Sequence, residues 1–196
     1  MKIKEMNFRD VEGEICYISK SENIEKLLSP FDDAEDSTGF LGYGYVDYQQ
    51  GLVFEVLCRA KKEEDTFQTL PTLFSVSVKI SKEMILENEI ELLEVDEKIY
   101  EKKIKKINDH TPASVKEVRE LDFLDESRDG CYPDHFLVHF DKEALWVKVK
   151  GLNEKKGCLE GILLQEPEST KDVHKEDSID FALKKKEDGS LICFRL

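Results

Sequence analysis

Two histidines in the segment His135-Phe-Leu-Val-His139 have the four-residue spacing of a helical zinc pair. In that motif a glutamate follows the first histidine, whereas this chain has Phe136 there. Phe136, Val138 and Phe140 alternate as in a β-strand, in which four residues span roughly 13 Å, too far for two imidazoles to share one ion. We therefore expect two strand histidines and no metal site.

The five cysteines offer no clear chemistry. They lie far apart and form no Cys-x-x-Cys pair, which favours neither a disulfide framework nor a zinc site. Cys131 precedes His135 by four residues, but no third group that would orient a nucleophile pair can be identified. We expect most of the cysteines to be reduced and buried in strands, and Cys131 to lie beside a turn.

A tight acidic cluster and a glycine-rich segment are the next candidates. The cluster contains Asp32, Asp33, Glu35 and Asp36, but an alanine stands where a calcium loop needs its second oxygen ligand, which favours a solvated loop. The glycines of residues 39–44 lead into a strand and lack the Gly-Lys-Ser/Thr of a phosphate loop. No Gly-x-Ser-x-Gly elbow occurs. The sequence therefore predicts no catalytic, cofactor-binding or metal-binding residues.

Aromatic residues occupy both faces of one predicted strand. Tyr43 and Tyr45 fall on one face with Asp47, and Tyr48 falls on the other. Either one face is an exposed aromatic surface for protein recognition, or helices cover both faces of the sheet. Trp146 stands between two apolar residues of another strand, and we expect it in the core.

Residues 1–120 show the patterns of a mostly antiparallel sheet with a few helices. A strand over Glu14–Ser19 leads into a short helix that a capping box of Ser19 and Glu22 would open. Two longer strands, Phe40–Tyr48 and Leu52–Ala60, are joined by a tight turn at Gly51.

Three further elements are predicted before the middle of the chain ends. Phe74, Val76, Val78 and Ile80 alternate with polar residues as in a half-buried strand. A helix over Asp96–Asn108 would place an apolar stripe on the sheet, with Glu101 and Lys105 as an ion pair. A second capping box, Ser114 to Glu117, predicts another short helix.

Residues 135–196 contain five short strand patterns, which predict a small β-rich domain, either a curled sheet or a barrel. Asp188-Gly189 favours a hairpin between the last two strands. The strands are Phe136–Phe140, Leu145–Lys150, Cys158–Leu164, Ile179–Leu183 and Leu191–Leu196. The predicted core includes Trp146, Val149, Leu163, Phe181 and Phe194.

The charge of the chain is uneven along its length. Residues 1–134 carry 18 basic and 31 acidic side chains, and residues 135–196 carry 11 and 12. The stretch before the change contains Gly130 and Pro133 and has no sustained periodicity, as in a connector. We therefore predict an acidic α+β domain over 1–120, a connector over 121–134 and a β-rich domain over 135–196.

The net charge of −14 also bears on partners. A chain with this much negative charge repels the phosphate backbone of nucleic acids, and we therefore expect no nucleic-acid partner. The first ten residues carry scattered charges without the apolar core of a secretory signal, and the apolar runs are too short to cross a bilayer. We expect a cytoplasmic protein with no membrane partner.

Three segments of the C-terminal third resemble, in order and spacing, the bacterial YegJ-like family, a domain family of unknown function. They are Ala144-Leu-Trp-Val-Lys-Val149, Glu160-Gly-Ile-Leu-Leu-Gln-Glu-Pro167 and Lys175-Glu-Asp-Ser-Ile-Asp-Phe181. The sequence departs from the family at Glu176, where glycine is usual, and lacks its common terminal Asp-Trp. The resemblance implies a β-rich fold and carries no activity, cofactor or catalytic residue with it.

Two classes of function remain open. The favoured one is a noncatalytic binding or accessory protein, including an immunity-type protein, because concentrated acidic charge speeds association with a basic partner. Its contact residues would be Asp32, Asp33, Glu35, Asp36, Tyr43 and Tyr45. The alternative is an enzyme, a hydrolase whose residues come together from distant segments. A deep pocket holding a strongly perturbed histidine, cysteine or carboxylate would favour the second class.

Overall fold

The computed structural model describes residues 1–29, 36–64, 66–70, 77–107 and 110–196, with the side chain of residue 97 left aside. The chain divides into two compact units, Met1–Asp109 and His110–Leu196. Unit 1 is an antiparallel sheet with short helices, and unit 2 is built on a closed β-barrel. The predicted α+β class is confirmed.

The sheet of unit 1 is made of β1 (Ile15–Ser19), β2 (Gly39–Asp47), β3 (Gly51–Glu63), β4 (Thr66–Thr69), β5 (Lys79–Ser81) and β6 (Ile90–Leu92). Its strands run in the order β4-β3-β2-β1-β6, and β5 pairs with β3. The predicted hairpin between β2 and β3 is confirmed. Gly51 begins β3 with φ of 75°, a conformation that costs glycine little because it has no Cβ.

The first helix, α1 (Glu22–Leu28), lies where the sequence predicts it but begins differently. Ser21 is its N-cap, and the Ser21 hydroxyl accepts the N–H of Ile24 at 3.5 Å. The predicted cap at Ser19 is wrong, because Ser19 ends β1 and its hydroxyl accepts the N–H of Glu89 instead. Of the strand predicted over residues 74–80, Phe74 and Val76 lie outside the described residues, and Ile80 is buried in β5.

The long helix predicted over residues 96–108 is wrong. The structure has a 3-10 turn at Glu97–Ile99 and a single α-helical turn, α2 (Glu101–Ile104). Among the described residues no side chain caps α2, and a helix this short gains little from its own hydrogen bonds. The Glu101–Lys105 ion pair does form, and Tyr100 and Ile104 pack against the sheet, while Ile99 is 70% exposed.

Both faces of the unit 1 sheet are covered. The first face packs against α1 and the 3-10 helices Ile3–Glu5, Phe8–Asp10 and Lys82–Ile85. Gly44 on this face allows the chain to approach closely, because a Cβ there would lie 2.3 Å from the carbonyl oxygen of Val11. The second face packs against apolar side chains of residues 93–104.

Unit 2 contains β7 (His135–His139), β8 (Ala144–Asn153), β9 (Cys158–Leu163), β10 (Ser178–Lys185) and β11 (Leu191–Arg195). Each strand pairs with the next, and a parallel pairing of β7 with β11 closes the barrel. All five predicted strands are confirmed, as is the hairpin at Asp188-Gly189. The 135–139 segment is a strand, as predicted for its two histidines.

Two residues of the predicted barrel core face outward. Val149, Leu163 and Phe181 are buried, but Trp146 and Phe194 are only half-buried. Side chains alternate along a strand, so the inward positions of β8 belong to the neighbours of Trp146. Apolar neighbours on both sides of a residue therefore indicate that the residue itself faces the other way.

The predicted connector is part of unit 2. Residues 110–134 form α3 (Ala113–Arg119), a 3-10 helix at Asp122–Ser127 and the approach to β7. The boundary between the units thus lies earlier than residues 121–134. Ser114 does not cap α3, which starts after Pro112; its hydroxyl donates to the carbonyl of Lys150 at 2.6 Å.

Two arginines explain why this polar segment packs as it does. Arg119 makes a bidentate ion pair with Asp134, with N–O distances of 2.8 and 2.7 Å, and both side chains are buried. Arg128 donates to the carbonyls of Val118 and Pro133, at 2.7 Å each. A buried charge requires such partners, so these contacts are formed only when the segment is folded against the barrel.

The structural boundary redistributes the charge. Unit 1 has a net charge of −9 and unit 2 of −5, because the acidic residues of 110–134 belong to the barrel unit. Unit 1 is still the more acidic of the two.

Candidate functional site

The predicted acidic cluster contributes one described residue. Asp32, Asp33 and Glu35 lie outside the described residues, and Asp36 is exposed in the turn before β2. The role predicted for this cluster stays a prediction.

The tyrosines of β2 do not form an exposed aromatic face. Tyr45 is buried, and Tyr43 is half-buried against the second core of unit 1. The Lys79 ammonium lies 5.5 Å from the centroid of the Tyr45 ring and pairs with Asp47 at 3.0 Å. Of the two alternatives for this strand, covered faces are correct.

A groove of about 430 Å³ lies on the second face of the unit 1 sheet. It is bounded by the end of β6 and the segment that follows it on one side, and by side chains of β2 and β4 on the other. Leu92 and Ile99 both line this groove, and their side chains are 48% and 70% exposed, which is unusual for large apolar residues. The lining is mostly apolar: Leu41, Phe67, Thr69, Leu92, Leu93, Glu94, Val95, Ile99 and Tyr100.

A β-bulge and a lysine hold the wall of this groove in place. The register between β2 and β3 shifts beside Leu41 and Gly42, so that β3 has an extra residue at Leu57. The Lys103 ammonium, from α2, donates to the carbonyl of Leu57 at 2.7 Å and lies 3.4 Å from that of Val56. Lys103 thereby anchors the short helix, which has little stability of its own, to the irregular part of the sheet.

Around Lys103, burial shifts the pKa of several ionisable groups in the direction that favours their uncharged forms. The Cys58 sulfur and Tyr100 hydroxyl oxygen are 3.4 Å apart, and burial raises the pKa of both groups. Burial also raises the pKa of Glu55, although the Ser77 hydroxyl, which donates to it at 2.8 Å, opposes the shift. A thiol and a phenol that both keep their protons form a structural hydrogen bond rather than an activated nucleophile and its base.

Burial lowers the pKa of Lys103, while the neighbouring Cys58 and Glu55 oppose this effect. The ammonium is occupied by main-chain carbonyls, so its role in this arrangement is to position α2. The groove therefore has an apolar lining, and hydrogen bonds of Lys103 hold the neighbouring helix in place.

Acidic residues lie next to the apolar lining residues in the segment 91–96. Glu91 pairs with Lys62 at 2.5 Å. Glu94 and Asp96 are exposed, and neither forms an ion pair with any residue that the structure describes. An apolar floor with an acidic rim is complementary to a segment that is both apolar and basic.

The described parts of the chain contain no group of three or more histidine, cysteine or acidic residues that could hold a metal ion. None of the helices in those parts is long and apolar enough to span a membrane. His135, at the start of β7, stacks on Tyr132 with a centroid distance of 4.9 Å, and burial lowers its pKa.

Sequence reasoning missed the groove residues. Leu92, Leu93 and Val95 form a short apolar run among acidic residues, and that run was the available signal. The helix predicted over 96–108 instead assigned Ile99 to a buried stripe.

Comparison with known proteins found no matching family model, curated protein or solved structure. The resemblance of the C-terminal third to the YegJ-like family therefore stays a prediction.

Proposed function

We propose that this is a noncatalytic protein-binding or accessory protein that captures a basic, amphipathic segment of a partner in the unit 1 groove. The observation that carries the proposal is the exposure of Leu92 and Ile99 beside two rim carboxylates, Glu94 and Asp96, that form no ion pair with a described residue.

Apolar burial supplies affinity at roughly 25 cal/mol per Å², and the exposed side chains of the groove provide that area. The net charge of −9 on unit 1 attracts a basic partner before contact, which raises the association rate more than it slows dissociation. This favours the basic partner expected from composition, with contact residues different from those predicted.

The test uses the full chain and a fluorescent amphipathic peptide of leucine and lysine, with binding followed by anisotropy. We expect saturable binding whose association rate falls with added salt, since salt screens charges beyond a Debye length of about 8 Å at physiological ionic strength. A leucine and glutamate peptide of the same length should bind far more weakly.

Two variants connect binding to the groove. Leu92→Ser with Ile99→Ser should weaken binding at least about tenfold, because two apolar side chains lose their contact area. Leu152→Ser is the matched control, since Leu152 is 47% exposed on unit 2. Glu94→Gln with Asp96→Asn should slow association, and Glu154→Gln should not. Equal binding of both peptides, or unchanged binding by the groove variant, would overturn the proposal.

A further inference from the structure

A second cleft, of about 770 Å³, lies on unit 2 and plays no part in the proposed function. One wall is the end of β7 with the turn after it, residues 139–142, and the opposite wall is the loop of residues 169–172. The floor is the outer surface of β10 and β11, with Ile192 and Phe194 half-buried there.

Three lysines converge on this cleft from three separate segments. Lys142 follows β7, Lys171 lies in the loop between β9 and β10, and Lys184 belongs to β10. In the described part of the chain, none of these ammonium groups lies within ion-pair distance of a carboxylate, whereas Lys156 of the same unit pairs with Asp180 at 2.5 Å. Three cations without an ion-pair partner among the described residues therefore line one concavity of a strongly acidic protein.

The two carboxylate side chains of the cleft do not cancel this charge. Asp172 pairs with Arg195, with N–O distances of 3.2 and 2.8 Å. Asp141 also interacts electrostatically with Arg195. The four basic side chains of the lining therefore outnumber its two carboxylate side chains by two, and the excess charge is positive.

The walls are held in place before any ligand arrives. The Glu143 carboxylate accepts the N–H groups of residues 168, 169 and 170 at 3.0, 2.9 and 2.7 Å. The Arg195 guanidinium lies 5.5 Å from the centroid of the Phe140 ring while it holds Asp172. Both ends of the loop are thus fixed, which lowers the entropic cost of binding.

We infer that this cleft binds a phosphate-bearing organic anion of nucleotide size. Three ammonium groups on separate segments suit a group with several negative charges, and lysine binds phosphate as a point charge. The half-buried Phe194 ring and Ile192 offer an apolar floor to a planar ring system. Pockets for small organic ligands have volumes of about 300–1,000 Å³, a range that includes this cleft.

The experiment is calorimetric titration of the full chain with ATP, and with adenosine and pyrophosphate as its parts. We expect one saturable site for ATP that is weakened by salt, and weaker binding of each part. Lys142→Gln, Lys171→Gln and Lys184→Gln should each weaken ATP binding about fivefold, the upper range for one exposed ion pair. Lys155→Gln removes an exposed lysine elsewhere on unit 2 and should leave ATP binding unchanged.

Histidine NMR resonances localise the ligand. His139 lines the cleft and should shift on titration with ATP, whereas His135, at the other end of β7, should not. No saturable ATP binding at millimolar concentration would overturn the inference, as would equal losses in the cleft and Lys155 variants. Tighter binding of hexaglutamate than of ATP would show that the cleft takes an acidic peptide instead, and would also overturn it.

Discussion

Replacing Arg119 with methionine should strongly destabilise unit 2. Asp134 is 3% exposed and accepts hydrogen bonds from Nε and Nη2 of Arg119, and the same Nη2 also donates to the Thr111 hydroxyl at 3.3 Å. Methionine fills much of the same space but leaves the carboxylate buried without its cation. Breaking a buried pair in this way costs about 3–5 kcal/mol.

The loss is large relative to the stability of the unit. A unit of 87 residues has a free energy of unfolding of roughly 4–13 kcal/mol. We expect the urea midpoint of unit 2 to fall steeply, by more than about 1 M for a typical urea dependence. Trp146 is the single tryptophan and lies in β8, so its fluorescence reports on this unit.

Two further variants test the reasoning. Arg119→Met combined with Asp134→Leu should recover much of the loss, because no unpaired charge remains buried. Arg195→Met removes a bidentate pair of similar geometry whose Asp172 side chain is 66% exposed, and it should cost much less. Equal losses for Arg119→Met and Arg195→Met, or an unchanged midpoint for Arg119→Met, would refute the argument and favour residues 121–134 as a simple connector.

Three other outcomes are expected. In NMR titrations His174 should have a raised pKa, because a glutamate carboxylate accepts its ring N–H at 2.8 Å, and its contribution to stability is therefore lost as pH rises through the folded pKa. His135 should have a lowered pKa because of burial, and its contribution to stability is lost as pH falls below about 6.5. A thiol reagent should modify Cys131 in the folded protein and the four strand cysteines only after unfolding, since burial raises the pKa of Cys16 to about 12 and holds the others inside; rapid loss of all five thiols without unfolding would contradict this. Gly44→Ala should destabilise unit 1 by about 1–3 kcal/mol, because its Cβ would lie 2.3 Å from a main-chain oxygen. Gly130→Ala should be neutral in the same thermal unfolding assay, because its Cβ would have no atom of the described residues within 4 Å.

Local patterns in the sequence were sufficient to predict most of the strands. The alternation around Val147 and Val149 predicts β8, and Gly51 predicts the hairpin of unit 1, because side-chain period and turn geometry depend on neighbouring residues. The buried cysteines of the strands follow from the same patterns. The α+β class and the β-rich C-terminal unit could therefore be predicted from the amino-acid sequence alone.

The predictions from the sequence were wrong where the local structure depends on contacts with residues distant in the chain. Whether residues 121–134 form a connector or a packed segment depends on Arg119 meeting Asp134, and no local period records that pairing. Trp146 is a large apolar residue between apolar neighbours, as is typical of a core position, but the closure of the barrel decides which face of β8 is inside. The helix over 96–108 was wrong because its residues pack on the sheet through one turn only.

The candidate site was decided by tertiary structure alone. Its groove needs Leu41 from β2, Phe67 from β4 and Leu92 from β6, and strand order brings these residues together. Lys103 donates to main-chain carbonyls at the bulge beside Leu57. A bulge is a property of two paired strands rather than of one. Composition determined that the protein is acidic. Pairing between distant strands decided where apolar surface and acidic charge meet, because a surface is defined by which chain segments become neighbours.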